Sequence, residues 1–154
     1  MSLFVIVKFF HVLFAIIAVG TNATYGIWLA RAAGAPQATQ SHVLRTIKVL
    51  DDRFANPAYV LLAVTGVTMV LLGDLRFTTF WIAGGIVLYV IAIVLGFAVY
   101  TPMLRGQIRA LETGGPESED YRRASSNARF VGILVAVIVL VIVFLMVTKP
   151  SPGA

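Results

Sequence analysis

The chain has 154 residues, a net charge of +5 at pH 7 and no cysteine. Hydrophobic residues make up 59% and charged residues 12%, against roughly 45–50% and 25% in a soluble globular domain. That balance excludes a water-soluble enzyme. The missing cysteines exclude a disulfide scaffold, thiolate metal sites, iron–sulfur clusters and covalently attached c-type haem.

The charges are clustered, leaving uncharged stretches at 9–30, 54–73, 77–104 and 130–148. A hydrocarbon core about 30 Å thick takes about 20 helical residues. The pattern therefore predicts an all-α membrane protein: one integral membrane domain over 1–154, built as an up-down-up-down bundle of four transmembrane helices at about 3–30, 57–73, 77–104 and 129–148. The first stretch reads as a retained helix, since a signal peptide's apolar core runs only about 7–15 residues. Four spans put both termini and the 74–76 turn on one side and the two long connections on the other. Nine of the 12 Lys and Arg lie in those connections. The positive-inside rule then places loops 31–56 and 105–129 in the cytoplasm and both termini outside.

In chain order, span one carries Ala18, Asn22, Gly26 and Ala30 at four-residue intervals, a thin face for a neighbouring helix with Asn22 as its hydrogen bonder. Tyr25 and Trp28, then Tyr59 and Tyr100, read as headgroup anchors at the cytoplasmic ends, and Trp81 as one at the outer end. After Gly34-Ala35-Pro36, the spacing of Val43, Ile47, Leu50 and Phe54 predicts an amphipathic helix at about 40–55, lying at the cytoplasmic interface. Asn56-Pro57 then restarts the chain as a cap and first turn. The short 74–76 turn makes spans two and three antiparallel neighbours. Span three offers Gly84, Gly85, Ala92 and Gly96 for packing, and Pro102 predicts a kink in a helix that continues into the cytoplasm. Gly114-Gly115 stops it, and Glu117, Glu119 and Asp120 open the last helix, whose packing residues are Gly132 and Ala136. Residues 149–154 read as a disordered tail. The arginines 105, 109, 122, 123 and 129 set topology or meet anionic lipid headgroups, so the basic charge calls for no nucleic acid.

For chemistry, His11 stands out: an ionisable group inside a span is by default a functional hypothesis. It could ligate haem b iron, with Met69 or Met146, near the same end of their spans, as the axial partner. The structural alternative is a neutral histidine bonded to a neighbouring helix or to interfacial water. His42 lies at the other end of the molecule and cannot share one haem with His11. No metal site and no catalytic constellation is legible, and no Asp, Glu, Lys or Arg lies within a span as an ion-coupled transporter would need.

Lys8-Phe9-Phe10-His11-Val12-Leu13, leading to Gly20, and Asp51-Asp52-Arg53-Phe54, leading through Pro57 to Thr65-Gly66, resemble a bacterial family of four-helix integral membrane proteins of unknown function. The resemblance implies the fold and a bacterial inner-membrane location. The Lys-x-x-His opening is also distantly similar to the first helix of the membrane protoporphyrinogen oxidases and the copper-resistance D-type proteins, which would put His11 at a haem- or metal-associated position. The oxidase pattern has a lysine in its third helix, and 77–104 has none. The leading functional expectation is a non-catalytic accessory or assembly subunit of a larger membrane complex, respiratory or photosynthetic, or a homo-oligomer. The alternatives are a b-type haem protein or oxidoreductase using His11 and, third, a small transporter.

Overall fold

The computed structural model describes residues 2–150, so the expected tail lies, from residue 151 on, outside the described residues. Every regular element is helical: α1 (Leu3–Ala32), α2 (Gln37–Leu50), α3 (Asn56–Leu72), α4 (Phe80–Val94), α5 (Thr101–Gly114) and α6 (Glu119–Thr148). A π-helical stretch, Asp51–Ala55, joins α2 to α3, and a second, Leu95–Tyr100, joins α4 to α5. The result is four long rods, Leu3–Ala32, Gln37–Leu72, Phe80–Gly114 and Glu119–Thr148, each long and apolar enough to cross a membrane. The four-span all-α architecture expected from the charge gaps is present.

The chain does not restart at Asn56-Pro57. Asn56 has helical φ −62° and ψ −48° and is no N-cap; the rod runs through it. A proline inside a helix lacks the N–H donor, and its ring crowds the carbonyl four residues back. For Pro57 and Pro102 those carbonyls belong to Arg53 and Ala98, and each lies within a π stretch. Widening the turn to i→i+5 bonding accommodates the ring and lets the helix continue. Both prolines are absorbed by the same device.

Nor is 40–55 a separate helix lying on the membrane. Its buried stripe is Gln40, Leu44, Ile47, Asp51 and Ala55, continuing to Ala58, and it faces α1 and α5. The facing stripe on α5 is Thr101, Leu104, Gln107 and Leu111, and the two run antiparallel. The apolar face has a protein partner, so it needs no lipid. Phe54, placed on the apolar face by spacing, is 53% exposed.

Among the described residues the one buried hydrophobic cluster is Tyr25, Leu44, Ile47, Leu104 and Leu111, flanked by Leu29, Val43, Tyr100, Ile108 and Tyr121. All of it sits toward the arginine-rich end. The most apolar windows of the four rods are only 6% to 17% buried. At about 1.5 Å per residue the second and third rods are about 50 Å long, well over the roughly 30 Å of hydrocarbon. Their surplus length forms the part that needs a dry core of its own, because only water drives apolar side chains together.

Along the spans, α1 packs on α3 and α4 packs on α6. Glycines decide these pairings: Gly66 of α3 and Gly73 just past its end lie beneath His11 and Phe4, and Gly84 and Gly85 of α4 admit Leu145 and Met146. Spans two and three, expected as neighbours, are linked by a hydrogen bond from Tyr89 Oη to the Tyr59 carbonyl, but each packs its length elsewhere. The 73–79 connection, with Asp74 at φ +51°, is long enough to let them part.

At the far tip, Gly115 takes φ +79°, a conformation costly for any residue with a Cβ. Ser118 Oγ caps α6 by accepting from the Tyr121 N–H at 3.3 Å. Gln37 Nε2 donates to the Leu111 carbonyl at 2.8 Å, and Arg45 pairs with Glu112 at 2.6 Å. Hydrogen bonds from Arg45 and then Ser41 hold the Glu112 carboxyl below the ordinary glutamate range. Being depressed, it keeps this contact as pH falls through the usual glutamate pKa and loses it only in stronger acid.

Leu104→Ala, which empties the cluster, is expected to cost about 2–5 kcal/mol. Leu140→Ala, at a position 63% exposed on α6, should change stability by no more than about 0.5 kcal/mol. Reversible unfolding of both variants in detergent micelles checks the contrast.

Candidate functional site

Two polar clusters break the apolar interior. The first joins the two stretches that carry the family resemblance. His11 Nδ1 lies 3.0 Å from Thr65 Oγ1, and the Thr65 hydroxyl lies 2.7 Å from the Leu61 carbonyl, which can only accept. Thr65 has one proton and spends it on that carbonyl, so toward His11 it is an acceptor. Nδ1 therefore carries the imidazole hydrogen, and Nε2 keeps a free lone pair. Gly66 makes the approach feasible: a Cβ there would stand 3.1 Å from His11 Cε1. The Thr65-Gly66 pair thus both orients and admits the ring.

The proposed haem partners are not brought together with it equally. Met69 is half-buried on α3, one turn beyond Thr65. Met146 fills the space over Gly85, in the other helix pair, and α1 barely touches α6. His42 is exposed on α2, far from His11. Among the described residues no three His, Asp or Glu side chains gather to hold a metal ion.

The second cluster was hidden in the sequence. Asp51 is only 5% exposed, and its carboxylate accepts from Thr101 Oγ1 at 3.1 Å and, more distantly, from Asn56 Nδ2 at 3.4 Å. Asp51 opens the first π stretch, and Thr101 follows the second directly. Each widened turn thus presents one end of the same hydrogen bond. Its neighbour Asp52 is exposed and pairs with Lys48. Tyr25, taken as a headgroup anchor, is turned inward and 5% exposed, and its hydroxyl is buried without a partner. Tyr59, another expected anchor, accepts from Asn22 Nδ2 at 2.6 Å. The Tyr59 phenol, bonded to Asn22 inside the bundle, does not need the headgroup layer. The overlooked signal was the spacing itself: Asp51 lies four residues past Ile47 and seven past Leu44, on the buried stripe.

The small residues divide. Ala18 is fully buried, Gly85 lies beneath Met146, and a Cβ built at Gly132 would stand 3.5 Å from the Tyr100 ring. Gly26 and Gly96 pack against nothing: a Cβ at either would meet no atom within 4 Å. At these two positions no other described element of this chain takes up the thin face offered to a neighbouring helix. Of the arginines, Arg122 pairs with Glu117 at 2.6 Å and Arg123 pairs with Glu119. Arg105, Arg109 and Arg129 make no ion pair among the described residues.

Removing the Thr101 hydroxyl leaves a buried carboxylate short of a donor. Thr101→Val is expected to cost about 1–3 kcal/mol, whereas Thr101→Ser should stay near wild type. Tyr25→Phe deletes an orphaned hydroxyl and should leave the thermal midpoint in detergent unchanged or raised.

No curated protein and no solved structure matches the chain. A family model described as a predicted integral membrane protein does match, over residues 5–150. A match over nearly the whole length, on a chain of four apolar rods, places this protein in the predicted integral membrane protein family DUF2269.

Proposed function

We propose that the protein is an accessory or assembly subunit of a larger membrane complex, respiratory or photosynthetic, docked sideways through its first span. It sits in a bacterial inner membrane with loops 31–56 and 105–129 in the cytoplasm, as its arginines favour. One observation carries the docking: Gly26 and Ala30 lie one turn apart on α1, both exposed, and nothing in this chain comes within 4 Å of a Cβ built at Gly26. Elsewhere the spans show lipid their bulky side chains, among them Ile16, Val64, Leu140 and Phe144. A thin strip on such a surface lets a foreign helix backbone approach closely, which is how helices associate without a hydrophobic drive. Purified from its own membranes in a mild detergent, the wild type should migrate as a complex well above its own mass. Gly26→Leu, which fills the strip, should release it as a folded lone chain. Wild type recovered only as a monomer overturns the reading.

A second reading rests on His11. Histidines that bind metals commonly donate one ring N–H to a neighbour, fixing the tautomer and aiming the other nitrogen. The bond to Thr65 does this for His11 and frees Nε2. Nε2 is the atom that would hold a haem b iron, with Met69 the better placed of the two methionines, and the haem would supply electron transfer. An absorption spectrum after haem-replete expression decides it. A Soret band should appear, vanish in His11→Ala and shift in Thr65→Val; a colourless wild type ends this reading.

A further inference from the structure

At the arginine-rich end, the turn after α1 and helices α2, α5 and α6 enclose an open cavity of about 330 Å³. Its size suits a small ligand. Gln107 lines it, and this residue is only 2% exposed, yet its amide hydrogen-bonds to no protein group among the described residues. The amide is not sealed in the core but keeps a little exposure, so it is free to bond to whatever fills the cavity. Arg129 also lines the cavity and makes no ion pair among the described residues. Ser125 and Tyr100 line it as well, and neither hydroxyl hydrogen-bonds to a protein group among the described residues. The carboxylate of Glu117 stands at the rim, engaged by Arg122 at 2.6 Å. The Tyr121 hydroxyl is occupied with Gln40 at 3.0 Å.

Unsatisfied donors outnumber acceptors here: a guanidinium, an amide NH2 and two hydroxyls. That set matches an oxyanion with several acceptor oxygens. The other wall is apolar, formed by Leu29 and Ala32 of α1 with Ala128 of α6. Arg129 stands beside the last uncharged stretch, which begins at residue 130, so the cavity lies where the apolar zone gives way to water. We infer that this cavity binds a phosphate group, its oxygens on Arg129 and Gln107 and any attached carbon skeleton along the wall from α1. A lipid headgroup and a free phosphate share that chemistry.

The test uses the full-length protein in a neutral maltoside detergent, titrated separately with dioctanoyl phosphatidylglycerol and with inorganic phosphate. Binding is followed by native mass spectrometry and by the shift of the thermal midpoint. Saturable binding of the lipid alone identifies a headgroup phosphodiester; binding of inorganic phosphate, with or without the lipid, identifies the phosphate itself. Arg129→Gln and Gln107→Leu should each weaken binding about tenfold or more, as the loss of a charge-assisted or buried bond does. Arg105→Gln, which removes an equal charge outside the cavity, should not. Should Gln107→Leu fail to fold, Ser125→Ala and Gln107→Glu take its place; the second puts a negative charge in the cavity and should abolish binding. No saturable binding of either probe, or equal weakening by Arg105→Gln and Arg129→Gln, overturns the inference.

Discussion

The whole arrangement depends on where water reaches this chain. Toward the arginine-rich end, four of the five residues in the buried cluster come from α2 and α5, two helices that extend two of the spans. There the hydrophobic effect works as it does in any soluble domain. Along the apolar rods it is absent, because lipid tails are as apolar as the side chains they would replace. Cohesion in that zone falls to close contacts at glycines and to a few hydrogen bonds, such as His11–Thr65 and Asn22–Tyr59. The two regimes meet near Tyr25 and Asp51.

That meeting level is also where backbone geometry is least regular. Pro57 and Pro102 each follow a π stretch, and the two stretches bring Asp51 and Thr101 into hydrogen-bond contact. A buried carboxylate held by neutral donors is an expensive choice for structure alone. π turns recur at functional positions in helices, and the phosphate cavity opens from the same level, with Tyr100 shared between the second π stretch and the cavity lining. Function, on this view, concentrates where the spans emerge, while the apolar rods hold it at the right depth.

His11 shows how one geometry serves two readings. Its bond to Thr65 satisfies a polar group that hydrocarbon would penalise, which is sufficient reason for its presence. The same bond fixes the tautomer and leaves Nε2 available.

Much of this protein was legible in its residues. Charge gaps, helix length and the distribution of arginine determine four spans and their ends, because the bilayer's thickness and its intolerance of charge act on each segment separately. His11 too was legible, as an ionisable group in an apolar run. What needed the tertiary structure were the properties that depend on a partner. Spacing could not say that Val43, Ile47 and Leu50 belong beside α5 rather than on lipid, or that the true stripe passes through Asp51. Nor could it say which glycines are covered: Gly85 and Gly132 receive side chains from other helices, while Gly26 stays open. A local pattern records how apolar a face is, but what covers that face is settled only when the rods come together.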